Sequence, residues 1–224
     1  MPSELGLGVY EIGEAARYTR QQTATVRSWF FPAAGTGRKP VFKSDYQQYK
    51  NRYAISFLDL IDVLVAGKLR TEGVSMPKVR EAYRVLKKRF KRTHPFCYEN
   101  LYTDGKDILI DAAHAVEDSA LIEVVSGQNW FKRVIRPYLT QITFDQDTRK
   151  AVAWHISNGV VINPKIGFGR PVIDGTGLSA EILGNQYFAN GEDEELVADL
   201  YEVTVRDVRN AAVYVEEFRL RAAA

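Results

Sequence analysis

"YEIGEAARYTRQQTATVRSWF", residues 10–30, is the stretch on which the reading of this chain turns. Ile12, Ala15 and Ala16 fall at i, i+3 and i+4, one face of a short helix, and Val26, Trp29 and Phe30 repeat the spacing. Between them lies "YTRQQT", residues 18–23, too polar for the inside of an element and rich in capping side chains. Gln22 and Thr23 stand where the second helix should start. Two short helices joined by a tight turn form a helix-turn-helix unit, whose second helix enters the major groove of DNA. The spacing therefore predicts Val26 and Trp29 in a core, with the polar side chains facing outward.

Downstream, "FPAAGTGRKPVFKSDYQQY" (31–49) begins with Pro32, which stops the helix. Gly35 and Gly37 then mark a turn and "PVF" (40–42) reads as a short extended piece. A glycine-rich hairpin carrying Arg38, Lys39 and Lys43 has the layout of a basic wing. Ser56, with Asp59 three residues on, is a capping-box signal for a helix through "FLDLIDVLVAGKL". Gly73 closes that helix. Ser75 opens another with Pro77 in its first turn, and there Met76, Val79, Tyr83, Leu86 and Phe90 form an apolar stripe. Its other faces carry eight cations between Lys78 and Arg92, more than solubility requires.

Charge divides along the chain. Residues 1–95 hold 18 Lys/Arg against 8 Asp/Glu, a net of +10, whereas 96–224 hold 12 against 20, a net of −8. Such asymmetry predicts a polyanion partner for the N-terminal part and a different partner for the C-terminal part. The 224 residues contain one cysteine, Cys97, which excludes an internal disulfide framework and fits a reducing cytosol. No apolar run reaches the ~20 residues a bilayer demands, and there is no signal-peptide pattern. The expectation is a cytoplasmic protein with no membrane partner.

From "THPF" onward the texture changes. "LYTDGKDILID" (101–111) carries a hairpin signal around Asp104-Gly105, "LIEVV" (121–125) reads as a strand, and residues 130–139 suit a short helix. "ITFDQDTRKAVAWHI" (142–156) looks like a second hairpin. The last third is helical again. Ser179 caps a helix with Ile182, Leu183 and Phe188 inward and Gly191 as its stop. "EDEELVADLY" opens with acids, favourable at a helix N-terminus, and Thr204 caps a final helix lined by Val205, Val208, Ala212 and Val215. The fold class expected is α+β: a winged helix-turn-helix over 1–93, a β-rich middle over 94–163, and a helical, three-helix, helix-turn-helix-like domain over 164–224.

Catalysis finds no support in the residues. His94, His114 and His155 are scattered, with no Cys or Glu partner at metal spacing. No phosphate loop or nucleophile elbow occurs, and Asp145, Asp147 and Asp174 read as turn caps. No enzyme activity, cofactor or metal is expected. For DNA the candidates are Thr23, Ala24, Thr25, Arg27 and Ser28 on the second helix, with Arg20 and Gln22 just before it. Arginine pairs bidentately with guanine and glutamine with adenine, while Thr and Ser reach phosphates or thymine methyls. On the wing, Arg38, Lys39 and Lys43 would neutralise phosphates. Two-fold operators call for two recognition helices, so a homodimer on double-stranded DNA is expected.

"IGEAARYT", "TVRSW" and "ISFLDLIDVLVAGKLRTEGVSMPKVREAY" resemble the winged helix-turn-helix domain of MerR-like regulators over residues 9–90, with Arg20 and Gln21 where that turn usually has glycine. "GRPVIDGT", "ANGEDEELVADLY" and "TVRDVRNAAVYV" are similar to a small domain found in bacterial antitoxins. Together these pieces resemble a VapB-type antitoxin of a type II toxin–antitoxin pair. The resemblance implies a protein that neutralises a PIN-domain ribonuclease by direct binding and represses its own operon. A PIN active site is a carboxylate cluster that holds Mg²⁺, so Arg219 and Arg221 of the tail "EEFRLRAAA" become candidates for toxin binding. The alternative is a stand-alone MerR-like regulator whose acidic tail serves dimerisation or effector binding.

Overall fold

In the computed structural model, the described residues are 7–32, 35, 37, 39–46, 53–99 and 140–222. The hairpin around Asp104-Gly105, the strand 121–125, the helix 130–139, His114, Arg38 and the side chain of Arg221 lie outside them. Among the described residues the fold is α+β, with seven α-helices and two small antiparallel sheets. The chain divides into two compact units, Tyr10–Ala151 and a second made of Val152–Ala224 with residues 7–9.

In the first unit, β1 (Tyr10–Glu11) runs straight into α1 (Ile12–Thr19), where the Glu14 carboxylate accepts the Glu11 N–H at 2.9 Å. Ile12, Ala15 and Ala16 are buried as their spacing required. Arg20 ends the helix in the left-handed conformation (φ 58°, ψ 41°), and the Gln21 N–H closes back on the Ala16 carbonyl at 2.9 Å. α2 (Thr23–Phe30) follows at once and buries Val26, Trp29 and Phe30.

The "PVF" segment is not the expected extended piece. It bends under α2, with the Val41 and Phe42 amides both donating to the Trp29 carbonyl (2.7 and 3.1 Å). Phe42 packs against Trp29, Phe30 and Tyr83, and burying that ring outweighs any pairing a wing strand would gain there. The strand that does form is β2 (Ala54–Ile55), antiparallel to β1 in the register Tyr10 to Ile55.

α3 (Phe57–Thr71) is the central helix, apolar on nearly every face, and starts at the capping box read from the sequence: Ser56 Oγ accepts the Asp59 N–H and Asp59 Oδ2 accepts the Ser56 N–H (3.1 and 3.0 Å). The turn after α1 presses on it closely. A Cβ built on Gly67 would stand 2.6 Å from Gln21 Nε2, so the Gln21 side chain lies directly against the bare glycine backbone. α4 (Met76–Phe90) buries Val79, Ala82, Tyr83 and Leu86, with Met76 and Phe90 at the margins. A 3₁₀ turn, Pro95–Cys97, then brings Phe96 against Tyr83.

The hairpin expected over 142–156 is present as β3 (Ile142–Phe144) and β4 (Ala151–Ser157), in a sheet ordered β3-β4-β5-β6 with β5 (Val160–Ile162) and β6 (Pro171–Ile173). Asp145 makes the expected turn cap, accepting from the Thr148 N–H and hydroxyl (2.8 and 2.7 Å). In the second unit Ala153, Val161 and Val172 form the sheet's inner layer.

Three helices follow. α5 (Ala180–Ala189) is capped by Ser179 and stopped at Gly191, α6 (Glu194–Tyr201) is capped by Asp193, and α7 (Val205–Ala222) by Thr204. α5 and α7 cross at Gly184, where a Cβ would lie 2.5 Å from the Ala211 carbonyl oxygen. This crossing turns Ala180, Leu183 and Gly184 inward. Ile182, expected inside, is 57% exposed because the close approach selects the neighbouring stripe of a helix that is apolar on more than one side.

Candidate nucleic-acid interface

α2 owes its two-sided character to placement. With Val26 fully buried and Trp29 beneath it, helical geometry turns Thr23, Ala24, Arg27 and Ser28 to the outside, with Thr25 half-buried at the edge. Arg20 and Gln22 are exposed at the turn preceding this face. Six of the seven candidates on and before α2 are thus exposed along one short arc. Ser28 is partly engaged, since its hydroxyl donates to the Thr25 carbonyl at 2.7 Å.

Arg27 has a support that sequence reasoning missed. Its guanidinium stands 4.5 Å from the centroid of the Tyr53 ring, which also touches Phe31 at 4.6 Å between centroids. A guanidinium held over an aromatic face keeps its N–H groups in its own plane above the ring, able to donate outward at the edge, and loses less rotamer freedom on binding. Tyr53 lies 26 positions from Arg27, and no local spacing could have paired them.

On the segment after α2, Lys39 and Lys43 are exposed, and the Lys39 carbonyl accepts from Arg80 Nη2 of α4 at 3.1 Å. That bond joins the expected wing to the basic helix. On α4, Arg84, Lys87, Lys88, Arg89 and the adjoining Lys91 are exposed; Arg84 is paired with Glu81. Arg92 stacks on Tyr98 at 3.6 Å.

Behind this surface lies a buried polar cluster. His94, read from the sequence as a scattered histidine without a metal-type partner, sits instead among carboxylates. Its Nδ1 is 2.8 Å from Asp62 Oδ2 and its Nε2 is 3.0 Å from Asp45 Oδ1. Burial works against its charge, but the hydrogen bonds of Asp45 and Asp62 and the charges of Asp62 and Asp59 outweigh it, and its pKa is pushed up to about 10. Burial raises Asp62, and raises Asp59 to about 6. The Tyr83 hydroxyl stands 2.8 Å from both Asp62 Oδ2 and the Thr93 carbonyl oxygen. The cluster pins the segment behind Lys43 to α3, because Asp45 Oδ2 also accepts from Ser56 Oγ (2.6 Å) and Asp59 Oδ2 accepts the Asp45 N–H (3.1 Å).

In the second unit, the described tail candidate Arg219 is already engaged. Its Nη2 donates to Asn185 Oδ1 at 2.8 Å and its guanidinium lies 4.6 Å from the Phe188 ring centroid. The acids at the start of α6 are partly paired as well, Glu194 with Arg209 at 2.6 Å. Leu196 and Leu200 of α6 are exposed apolar side chains, as is Phe168.

These features define a two-unit α+β chain with a basic helical face in one unit and an acidic helical array in the other; one of the similarities to known proteins falls within the second unit, and the others span both. Residues 160–215 match a family described as a protein of unknown function, DUF433. Over 91% of this chain and 92% of the relative, it is 28% identical to the Mycobacterium tuberculosis protein named "Putative antitoxin VapB45". The crystal structure of Rv2018 from Mycobacterium tuberculosis superposes with a TM-score of 0.74 at 27% identity, covering 91% of this chain and 96% of that one. The resemblance to a VapB-type antitoxin thus extends along nearly the whole of both sequences.

Proposed function

We propose that this chain is the antitoxin of a type II toxin–antitoxin pair, binding and neutralising a PIN-domain ribonuclease and repressing its own operon through operator DNA. The similarity to a named antitoxin along nine-tenths of both chains carries this reading. In it, α1, the Arg20–Gln22 turn and α2 act as the helix-turn-helix of a winged, MerR-like domain. Arg20, Gln22, Thr23, Ala24, Thr25, Arg27 and Ser28 face the major groove, and Arg38, Lys39 and Lys43 face the phosphates. The burial of Val26 and Trp29 beneath an exposed polar arc supports this assignment. A homodimer presents two such helices to a palindromic site.

The acidic second unit, with 5 Lys/Arg against 11 Asp/Glu over residues 170–224, would be repelled by phosphates and suits a protein partner. Arg219 and Arg221 are the residues proposed to approach the toxin's carboxylates. The test is a search beside this chain's gene for a reading frame that encodes a PIN-domain protein, then co-expression of the two, co-purification and a ribonuclease assay. The expected outcome is a stable complex with suppressed cleavage. A neighbour that stays free and fully active refutes the antitoxin reading and leaves the stand-alone regulator, whose operator binding would persist unaltered.

A further inference from the structure

The cluster around His94 contains one atom that the fold leaves unanswered. Asp59 is completely buried, and while its Oδ2 accepts from Ser56 and Asp45, its Oδ1 has no hydrogen-bond partner. A buried carboxylate oxygen without a donor is costly and calls for an explanation. Its nearest cationic neighbour is His94 Nδ1 at 3.8 Å, beyond hydrogen-bond reach. Around the same point stand Asp62, 2.8 Å from that nitrogen, and Cys97 Sγ, 3.8 Å from Asp62 Oδ1. The donor atoms of Asp62, His94 and Cys97 lie within 4.8 Å of one another, as do those of Asp45, Asp59 and His94.

We propose that Asp59, Asp62, His94 and Cys97 form a four-coordinate site for a borderline divalent ion, Zn²⁺ in class, with Asp45 orienting the imidazole from behind. Zn–O and Zn–N bonds near ~2.0 Å and Zn–S near ~2.3 Å place tetrahedral ligands roughly 3.3–3.6 Å apart. His94 Nδ1 and Asp62 at 2.8 Å stand closer than that, and Asp59 to His94 and Cys97 to Asp62 at 3.8 Å stand slightly farther; Asp62, His94 and Cys97 already group within 4.8 Å, and Asp59 has to turn its Oδ1 toward them as the ion binds. The mixture of one sulfur, one imidazole and two carboxylates suits zinc rather than the all-oxygen demands of Ca²⁺ or Mg²⁺. Asp45 supplies the outer carboxylate that metal-bound histidines require, on Nε2 at 3.0 Å.

On binding, the ion replaces the proton on Nδ1 and the thiol proton that now goes to the Leu58 carbonyl (3.2 Å), and both protons leave to solvent. Four protein ligands close the coordination sphere, which makes the site structural: it would tie α3, the Pro95–Cys97 turn and the Ser44–Asp45 segment into one node.

The test uses the full chain, stripped with chelator and titrated with Co²⁺ alone, then with Zn²⁺ in competition. The expected result is one equivalent bound, with the strong visible bands of tetrahedral cobalt and a thiolate-to-cobalt charge-transfer band that Zn²⁺ abolishes. Cys97 is the chain's only cysteine, so that band reports this site alone. C97S should lose the band, and D59N, whose carboxamide keeps the shape, should lower affinity at least tenfold while the far-ultraviolet circular dichroism stays native. Absence of stoichiometric binding by the folded wild-type chain overturns the proposal, as does binding that D59N and C97S leave unchanged.

Discussion

Arg20 holds a conformation that costs an ordinary side chain about 1 kcal/mol or more and costs glycine nothing. Its place at the end of α1, where the Gln21 amide turns back on Ala16, is where helices favour glycine. A cation retained there at a cost in stability is consistent with the DNA-facing role proposed for it. Arg20→Gly should therefore raise the stability of the chain by ~0.5–1 kcal/mol in denaturant unfolding, while weakening binding to the upstream operator. Loss of stability in that variant would mean that contacts of the side chain outweigh the strain. Arg27, braced on Tyr53, belongs to a different class. Arg27→Ala should cost about 1–3 kcal/mol of operator affinity and relax discrimination at one base position, whereas Lys43→Ala should weaken all sequences alike and reduce the salt slope by about 1. Equal loss on every sequence for Arg27→Ala would make that residue a phosphate contact.

Among the elements, the α5–α7 crossing carries the sharpest constraint, because Gly184 meets a carbonyl oxygen and the Val215 methyl with no slack. Gly184→Val should push the two helices apart and destabilise the chain by ~1–3 kcal/mol or more, visible as an earlier thermal transition. An unchanged midpoint would show the crossing to be looser than its geometry. This region also shows what a sequence can and cannot reveal. Caps at Ser56, Ser179 and Thr204 were legible because a hydroxyl and an amide three residues apart meet in any helix start. The inward face of α5 was not legible, since Ile182 and Leu183 are equally apolar and only the passage of α7 over Gly184 chooses between them. The bend of Val41 and Phe42 under Trp29 escaped for a similar reason, being driven by a ring cluster assembled from α2 and α4. His94 escaped because Asp62 and Asp45 reach it across 32 and 49 positions. Of Asp59 and Asp62, three apart on α3, only Asp59 stood out in the sequence, and there as a cap.

For the molecule as a whole, the division of charge was readable from composition, +10 over residues 1–95 and −8 over 96–224, and its sign carries over to the two units, with 24 Lys/Arg against 16 Asp/Glu over 10–151 and 6 against 12 over 1–9 and 152–224. Two kinds of association should therefore respond differently to salt. Operator binding, if it neutralises about six or more phosphates, should fall by ~10³-fold or more between roughly 50 and 200 mM salt. Capture of the ribonuclease, resting on a protein surface, should change far less over that span, as checked by anisotropy on labelled DNA and by ribonuclease inhibition in matched buffers. Parallel loss of both would mean that the basic helices serve the two partners at once.

Cys97 has a use of its own at this scale. The lone sulfhydryl is fully enclosed, with its thiol pushed up by burial, so an alkylating reagent reaches it only when the surrounding helices part. Its rate of capture by iodoacetamide is then a clock for opening of the Tyr10–Ala151 unit, read by mass spectrometry with no engineered label.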